Sequence, residues 1–387
     1  MRIEHLALHC LSIPFVQGFQ HATKDRHASD AIIVEVRSGE HRGYGEALPR
    51  EYVTGESTQS VATHLTKHVW PRLARAELRV ASPETLLEDV ARCLDVAELG
   101  FLLGDPSARV IAHHAARAGL ELALVDCWLK AHGHSLAAAL PPSKHQVNYS
   151  GVISTGSVER AVALARKMRL GGLHQIKIKV GDELDERRVA AVREAVGPDC
   201  SLRIDANGAW DLDAALWKLE RLARHHIDSC EEPLGRARRA ELPGLVERSP
   251  VPIMVDESLV TDADAEELLE QRACHAFNLR VSKLGGLLPC LRIAHKAAQR
   301  GVWYQVGSHV GETSVLAAAG RHLALHLEHL RFIEGSFGSL LLSQDVASPS
   351  IKFGHGGRAG RLPGYGLGAS VLPERLEEFS VRSWSSA

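Results

Sequence analysis

A parallel β/α barrel preceded by an α+β segment is the fold class that this sequence predicts, and three observations predict it. From residue 147 onward, apolar strand-like runs begin near 147, 175, 201, 227, 252, 276, 302 and 331. Stretches with helical periodicity, such as 157–170, 183–196 and 212–225, separate them. Three of the runs then close on an acid: Asp205, Glu231 and Asp256, at intervals of 26 and 25 residues. One strand, one helix and two short loops fill such an interval, so the strands run parallel and their ends meet at one rim. A doubly wound open sheet is the alternative; eight evenly spaced β-runs favour the barrel.

The elements follow in order. Residues 3–13 and 31–36 are β-rich, and 39–45 supply turn signals. Two loops are expected, over 14–30 and from residue 48. From 57 to 133 the apolar spacing is helical, which makes 1–133 an α+β domain. The barrel is expected over 146–353. A Gly/Pro-rich stretch at 354–368 ends it, and the remainder of 354–387 returns to the first domain.

Bulk properties remove several function classes. With 387 residues the chain can build two structural units with ample core. Net charge is −2 and no block of like charge occurs, so neither a nucleic acid nor a membrane surface is an expected partner. No apolar run reaches the ~18–20 residues of a membrane helix. The charged start, Met1-Arg-Ile-Glu-His, is unlike a secretory signal. Seven scattered cysteines without a C-x-x-C pair predict free thiols in a reducing cytoplasm.

The rim acids carry the chemistry. Asp205, Glu231 and Asp256 would converge into an all-oxygen set suited to Mg²⁺, with Mn²⁺ as its substitute. One strand earlier, Lys177 and Lys179 stand two residues apart and share one side of a strand. A metal cage beside an amine is an arrangement for taking protons from carbon. Isolated acids after strands are usually loop residues or helix caps, and a lone Lys-x-Lys is usually an exposed edge. Even spacing and proximity weigh against both.

These residues resemble the enolase superfamily, in particular the muconate lactonizing and mandelate racemase group. Tyr44-Gly-Glu-Ala-Leu-Pro-Arg, Thr54-Gly-Glu and Ala123-Leu-Val-Asp-Cys-Trp-Leu are similar to the family's leading domain. Lys177-Ile-Lys179, Asp205-Ala-Asn207, Glu231-Glu-Pro233, Asp256-Glu-Ser258 and Lys283-Leu-Gly-Gly286 resemble its successive strand ends, and Gly364-Tyr-Gly-Leu-Gly368 its returning tail. The resemblance implies a modified (β/α)₇β barrel under an α+β capping domain, and Mg²⁺ on Asp205, Glu231 and Asp256. It implies a small carboxylate substrate whose α-proton moves through a metal-stabilised enediolate, with Lys179 as acid/base. Lys177 would favour the neutral amine on Lys179 by like-charge repulsion. Asn207, Glu257 and Lys283 are expected behind the ligands, Glu257 either as a further ligand or as a partner of Lys283. A homo-oligomer is compatible with the group.

One position departs from the pattern. Where two-base relatives carry a sixth-strand lysine, this chain has Arg280, which keeps its proton at working pH. That favours a one-base cycloisomerase or dehydratase, with Arg280 anchoring an anion. A racemase or epimerase pairing Lys179 with His309 (or Lys283) is the second reading. A non-catalytic metal- and acid-binding relative is the third. Substrate contacts are expected from His21, Arg26 and Tyr52 on the capping loops, and from Glu334 if it is protonated.

Overall fold

The computed structural model describes residues 1–19, 26–95 and 111–386. The leading strands are β1 (His5–Leu11), β2 (Ile13–Phe19), β3 (Arg26–Ser29), β4 (Ile32–Ser38) and β5 (His41–Ala47). After a helical stretch come β6 (Gln146–Asn148), β7 (Gly151–Ile153), β8 (Gln175–Lys179), β9 (Ser201–Asp205), β10 (Ile227–Glu231) and β11 (Ile253–Val255). The series ends with β12 (Ala276–Leu279), β13 (Trp303–Val306), β14 (Leu330–Ile333), β15 (Arg358–Gly360) and β16 (Ser380–Ser385).

β1, β4, β5 and β16 form one antiparallel sheet in the order β16-β1-β4-β5. The tail therefore covers an edge of the first sheet, with Leu8 opposite Trp384, and leaves fewer unpaired backbone groups. The helix His114–Ala131 packs on this sheet through a seam without side chains. A Cβ at Gly45 would lie 1.9 Å from the Gly119 carbonyl oxygen, and one at Gly43 would lie 2.1 Å from that of Ala123. Only glycine permits this approach.

The expected loop over 14–30 is in part a β-ribbon. β2 and β3 pair antiparallel, Ile13 against Ser29. The ribbon then joins residues far along the chain: Val16 N–H donates to Leu341 O at 2.8 Å, and Ser343 N–H to Pro14 O at 2.8 Å. Phe15 turns inward and is buried. Partners more than 300 residues away leave no local signal, which is why this segment reads as loop.

β7 to β14 form one parallel eight-stranded sheet in strict chain order. It closes where Ser150 N–H donates to Ile333 O at 2.9 Å. The run expected to open the barrel near 147 is split in two. β6 pairs antiparallel with β15 outside the barrel, and the barrel's own first strand begins at Gly151. Ile176, Ile178, Leu202 and Ile204 are fully buried, as are most residues of these strands, which is the mark of strands covered on both faces. Among the described residues no helix is long and apolar enough to cross a membrane, and all seven cysteines are free thiols.

Candidate active site

Strand register brings the rim residues together. Lys179 pairs with Asp205 across β8 and β9, and Asp205 pairs with Glu231 across β9 and β10. Asp256 follows β11 directly. All three carboxylates are only 1% exposed. Alternation does the sorting: Ile176 and Ile178 face the outer helices, so Lys177 and Lys179 face the interior.

Ion pairs fill that interior. Lys177 Nζ lies 3.0 Å from Glu231 Oε2, 2.8 Å from Glu334 Oε2 and 3.3 Å from Asp205 Oδ2. Burial would lower the Lys177 ammonium, but Glu231, Glu334 and Asp205 outweigh it and raise the group above its usual range. Burial would likewise raise Glu231; Lys177 and Arg280 overcome that and hold its carboxyl well below the usual carboxylate range. Lys179 Nζ sits 2.5 Å from Asn207 Oδ1 and 3.4 Å from Asp205 Oδ2. Lys177 is thus a fixed cation, while Lys179 stands at the cavity edge on short polar partners.

A further layer aims the acids. Glu232 accepts hydrogen bonds from Asp256 N–H at 2.7 Å and from the Ser258 hydroxyl, and burial pushes its carboxyl up to about 7. Lys283 Nζ donates to Asp256 Oδ1 at 2.7 Å, Asp256 O at 2.6 Å and Asn278 O at 3.0 Å. With three acceptors Lys283 is a buried strut, which removes the geometry its role as a base would need. Glu257 does not meet Lys283; its Oε1 accepts from Asn207 Nδ2 at 3.1 Å. Burial, then the charges of Asp256, Glu232 and Asp205, lift Glu257 well above its usual value.

Facing Lys179 stands Arg280, just past β12. Its Nη2 contacts Asp256 Oδ2 closely and lies 3.4 Å from Glu231 Oε1. A cavity of about 190 Å³ opens here, and its wall includes Lys177, Lys179, Asp205, Arg280, His309 and Glu334. Tyr52, 45% exposed, stands at its mouth with Arg50. His309 follows β13, and its backbone N–H donates to Glu312 Oε1 at 2.6 Å.

Glu334 follows β14 directly. Paired with Lys177 and, at 3.1 Å, with Arg203, it also lines the cavity. His21 lies outside the described residues, as does the side chain of Arg26. Reading the sequence missed Arg203, Gln305 and Asn278. Arg203 donates to Gln305 Oε1, Gln305 Nε2 donates to Glu231 Oε2 at 3.2 Å, and Asn278 Nδ2 donates to Glu231 Oε1 at 2.7 Å. Their signal was available: each is a polar residue at an inward position of an otherwise apolar strand. Phe337, Leu340 and Leu341 add apolar surface to the cavity wall, and reading the sequence did not single them out.

The strand ends of a closed parallel barrel thus gather three buried acids and two lysines. Residues 160–375 match the family described as Enolase C-terminal domain-like, and the chain belongs to that family. It is 31% identical over 303 residues to the D-Ala-D/L-Ala epimerase of Cytophaga hutchinsonii, covering 77% of each chain. The crystal structure of the N-succinyl Arg/Lys racemase from Bacillus cereus superposes with a TM-score of 0.88 at 25% identity, covering 100% of both chains. A dipeptide epimerase from Cytophaga hutchinsonii, complexed with Mg and the dipeptide D-Ala-L-Val, superposes with a TM-score of 0.84 at 26% identity, again over 100% of both.

The donor set can be tested against the metal that the family implies. Three buried carboxylates at neighbouring strand ends are hard oxygen donors of the right type. Glu257 Oε2 is buried without a hydrogen-bond partner among the described residues, which marks a local surplus of negative charge. Yet among the described residues no three acid, His or Cys side chains are spaced around a single cation. The cause is visible: Lys177, Arg280 and Lys283 already sit on Glu231 and Asp256. The residues fit a divalent ion in kind, provided that one of those cations gives way.

Proposed function

We propose that this protein is a Mg²⁺-dependent isomerase that removes and returns the proton next to a carboxylate, with Lys179 as the proton carrier. The observation that carries this reading is one cavity in which Lys179 meets the acid-lined rim while Lys177 is locked away on three carboxylates. Asp205, Glu231 and Asp256 would hold the ion, Mg²⁺ or in its place Mn²⁺. When bound, it offsets the charge that grows on the substrate carboxylate as the proton leaves.

This chain's own residues do the rest. Lys179 takes the proton at Nζ and is kept at the rim by Asn207. Lys177 keeps its proton and screens the acids beneath. Phe337, Leu340 and Leu341 shield the carbon from water and accept an apolar substituent. The substrate class is a small carboxylate, an N-acylated amino acid or a dipeptide, in keeping with the relatives' names.

Epimerisation needs a second proton carrier on the opposite face. Arg280 cannot supply it; His309, on the same cavity wall, is the group that can. Relatives support this reading: a protein named N-succinyl-L-Arg/Lys racemase and one named L-Ala-D/L-Glu epimerase each match 98% of the chain. Arg280 favours a second one, a one-base cycloisomerase in which the proton returns to the face it left. Incubation of N-acylated amino acids and dipeptides with enzyme and Mg²⁺ in D₂O decides. Exchange with inversion supports epimerisation, and exchange without inversion supports one base. No exchange with any acid would reject the reading and leave a non-catalytic acid-binding relative.

A further inference from the structure

The strand-six arginine holds more than a possible substrate. Glu231 and Asp256 each turn one oxygen onto a permanently buried partner: Lys177 takes Glu231 Oε2, and Lys283 takes Asp256 Oδ1. The other oxygen of each, Glu231 Oε1 and Asp256 Oδ2, is contacted by Arg280 Nη2, and Asn278 Nδ2 also donates to Glu231 Oε1. The side chains of Lys177 and Lys283 are 3% and 1% exposed, against 12% for Arg280. Arg280 lines the cavity and extends from just beyond β12 on a long, jointed stem. Of the cations on these acids, it is the one with somewhere to go.

We propose that Arg280 is an exchangeable counter-ion: its guanidinium bridges Glu231 and Asp256 while the site holds no metal, and a divalent ion binds only by displacing it. The inference rests on the reading of Asp205, Glu231 and Asp256 as ligands. Its physical basis is competition for two oxygens. One guanidinium nitrogen, Nη2, contacts both carboxylates, and a guanidinium is more weakly hydrated than an ammonium, so it stays on buried acids until another cation takes its place. Metal affinity is therefore set against the strength of this bridge, and loading frees a guanidinium beside the place where an anionic substrate would enter.

The experiment titrates Mg²⁺ by calorimetry, and Mn²⁺ by water-proton relaxation, into metal-stripped wild type, Arg280→Lys and Arg280→Met. Arg280→Lys keeps the charge on a side chain that ends one atom short of Nη2, the nitrogen that reaches both oxygens, so exchange predicts at least ~10-fold tighter binding for it, and tighter still for Arg280→Met. If Arg280→Lys stays within about two-fold of wild type while Arg280→Met tightens, charge alone explains the effect and the exchange is overturned. If neither ion binds any of the three proteins, the metal reading falls as well. Wild type alone provides a further arm that no folding defect can spoil. Mg²⁺ should speed modification of Arg280 by an arginine-selective dicarbonyl reagent several-fold, and an unchanged rate counts against the exchange.

Discussion

The β8 and β12 ends of the barrel face one another across the cavity, and both deliver nitrogen cations to the same acids. They differ in what the nitrogens can do. At β8 two amines divide the work: Lys177 is saturated by Glu231, Glu334 and Asp205, and Lys179 rests on Asn207 and Asp205. At β12 the cation on the cavity wall is a guanidinium that keeps its proton, and it grips two acids instead of facing the cavity with a free pair of electrons. The contrast sets the proposed proton carrier on one side of the rim and a bridging guanidinium on the other.

The largest expected effect tests the β8 side. Lys179→Met should cut α-proton exchange by on the order of 10³-fold, with the circular dichroism spectrum unchanged. Near-normal exchange would show that the proton leaves by another route. Next comes the acid shared by both sides. Glu231→Ala strands Lys177 and Arg280 in the interior and should cost about 3–5 kcal/mol of stability in metal-free urea denaturation; a loss below about 1 kcal/mol would mean that the buried pairs are loosely held.

A smaller effect probes the β12–β13 side. If His309 supplies the opposite face, His309→Gln should reduce inversion by about 100-fold while leaving deuterium exchange at the Lys179 face in place. Equal losses in both would argue for a purely structural His309. The mildest concerns pH. Burial, then the charge of Glu46, push the Glu312 carboxyl up to about 8, whereas in the unfolded chain a glutamate loses its proton near ~4.3. Between those values the folded state binds more protons, so stability should fall as pH rises from about 5 to 8. Glu312→Gln should flatten that fall, and an identical slope in wild type and variant would remove Glu312 as its source.

Much of this arrangement was legible in the chain itself. The repeat of strand-like runs and the acids at 205, 231 and 256 are local signals, because alternation and spacing are properties of short segments. So were Lys177 and Lys179, and the arginine at 280. What the sequence hid depends on distant partners. The β2–β3 ribbon leans on residues near 341, and Lys283 is saturated by Asp256 and Asn278, which no spacing rule reveals. Glu334 is shared between Lys177 and Arg203, the third residue of β9, a link between separate strands that no local pattern reveals.

The glycine seam between β5 and the long helix has a consequence for how molecules get in. That helix also reaches the barrel, where Glu121 Oε1 accepts from Leu287 N–H at 2.5 Å. Glu46, the penultimate residue of β5, accepts from Thr313 N–H at 2.9 Å and from Leu316 N–H at 3.0 Å at the start of another barrel helix. A cover bolted at both ends cannot swing aside like a hinged door. Tyr52 and Leu340 line the cavity and are 45% and 60% exposed, so the short stretches around them can be exchanged for other sequences without disturbing the floor beneath.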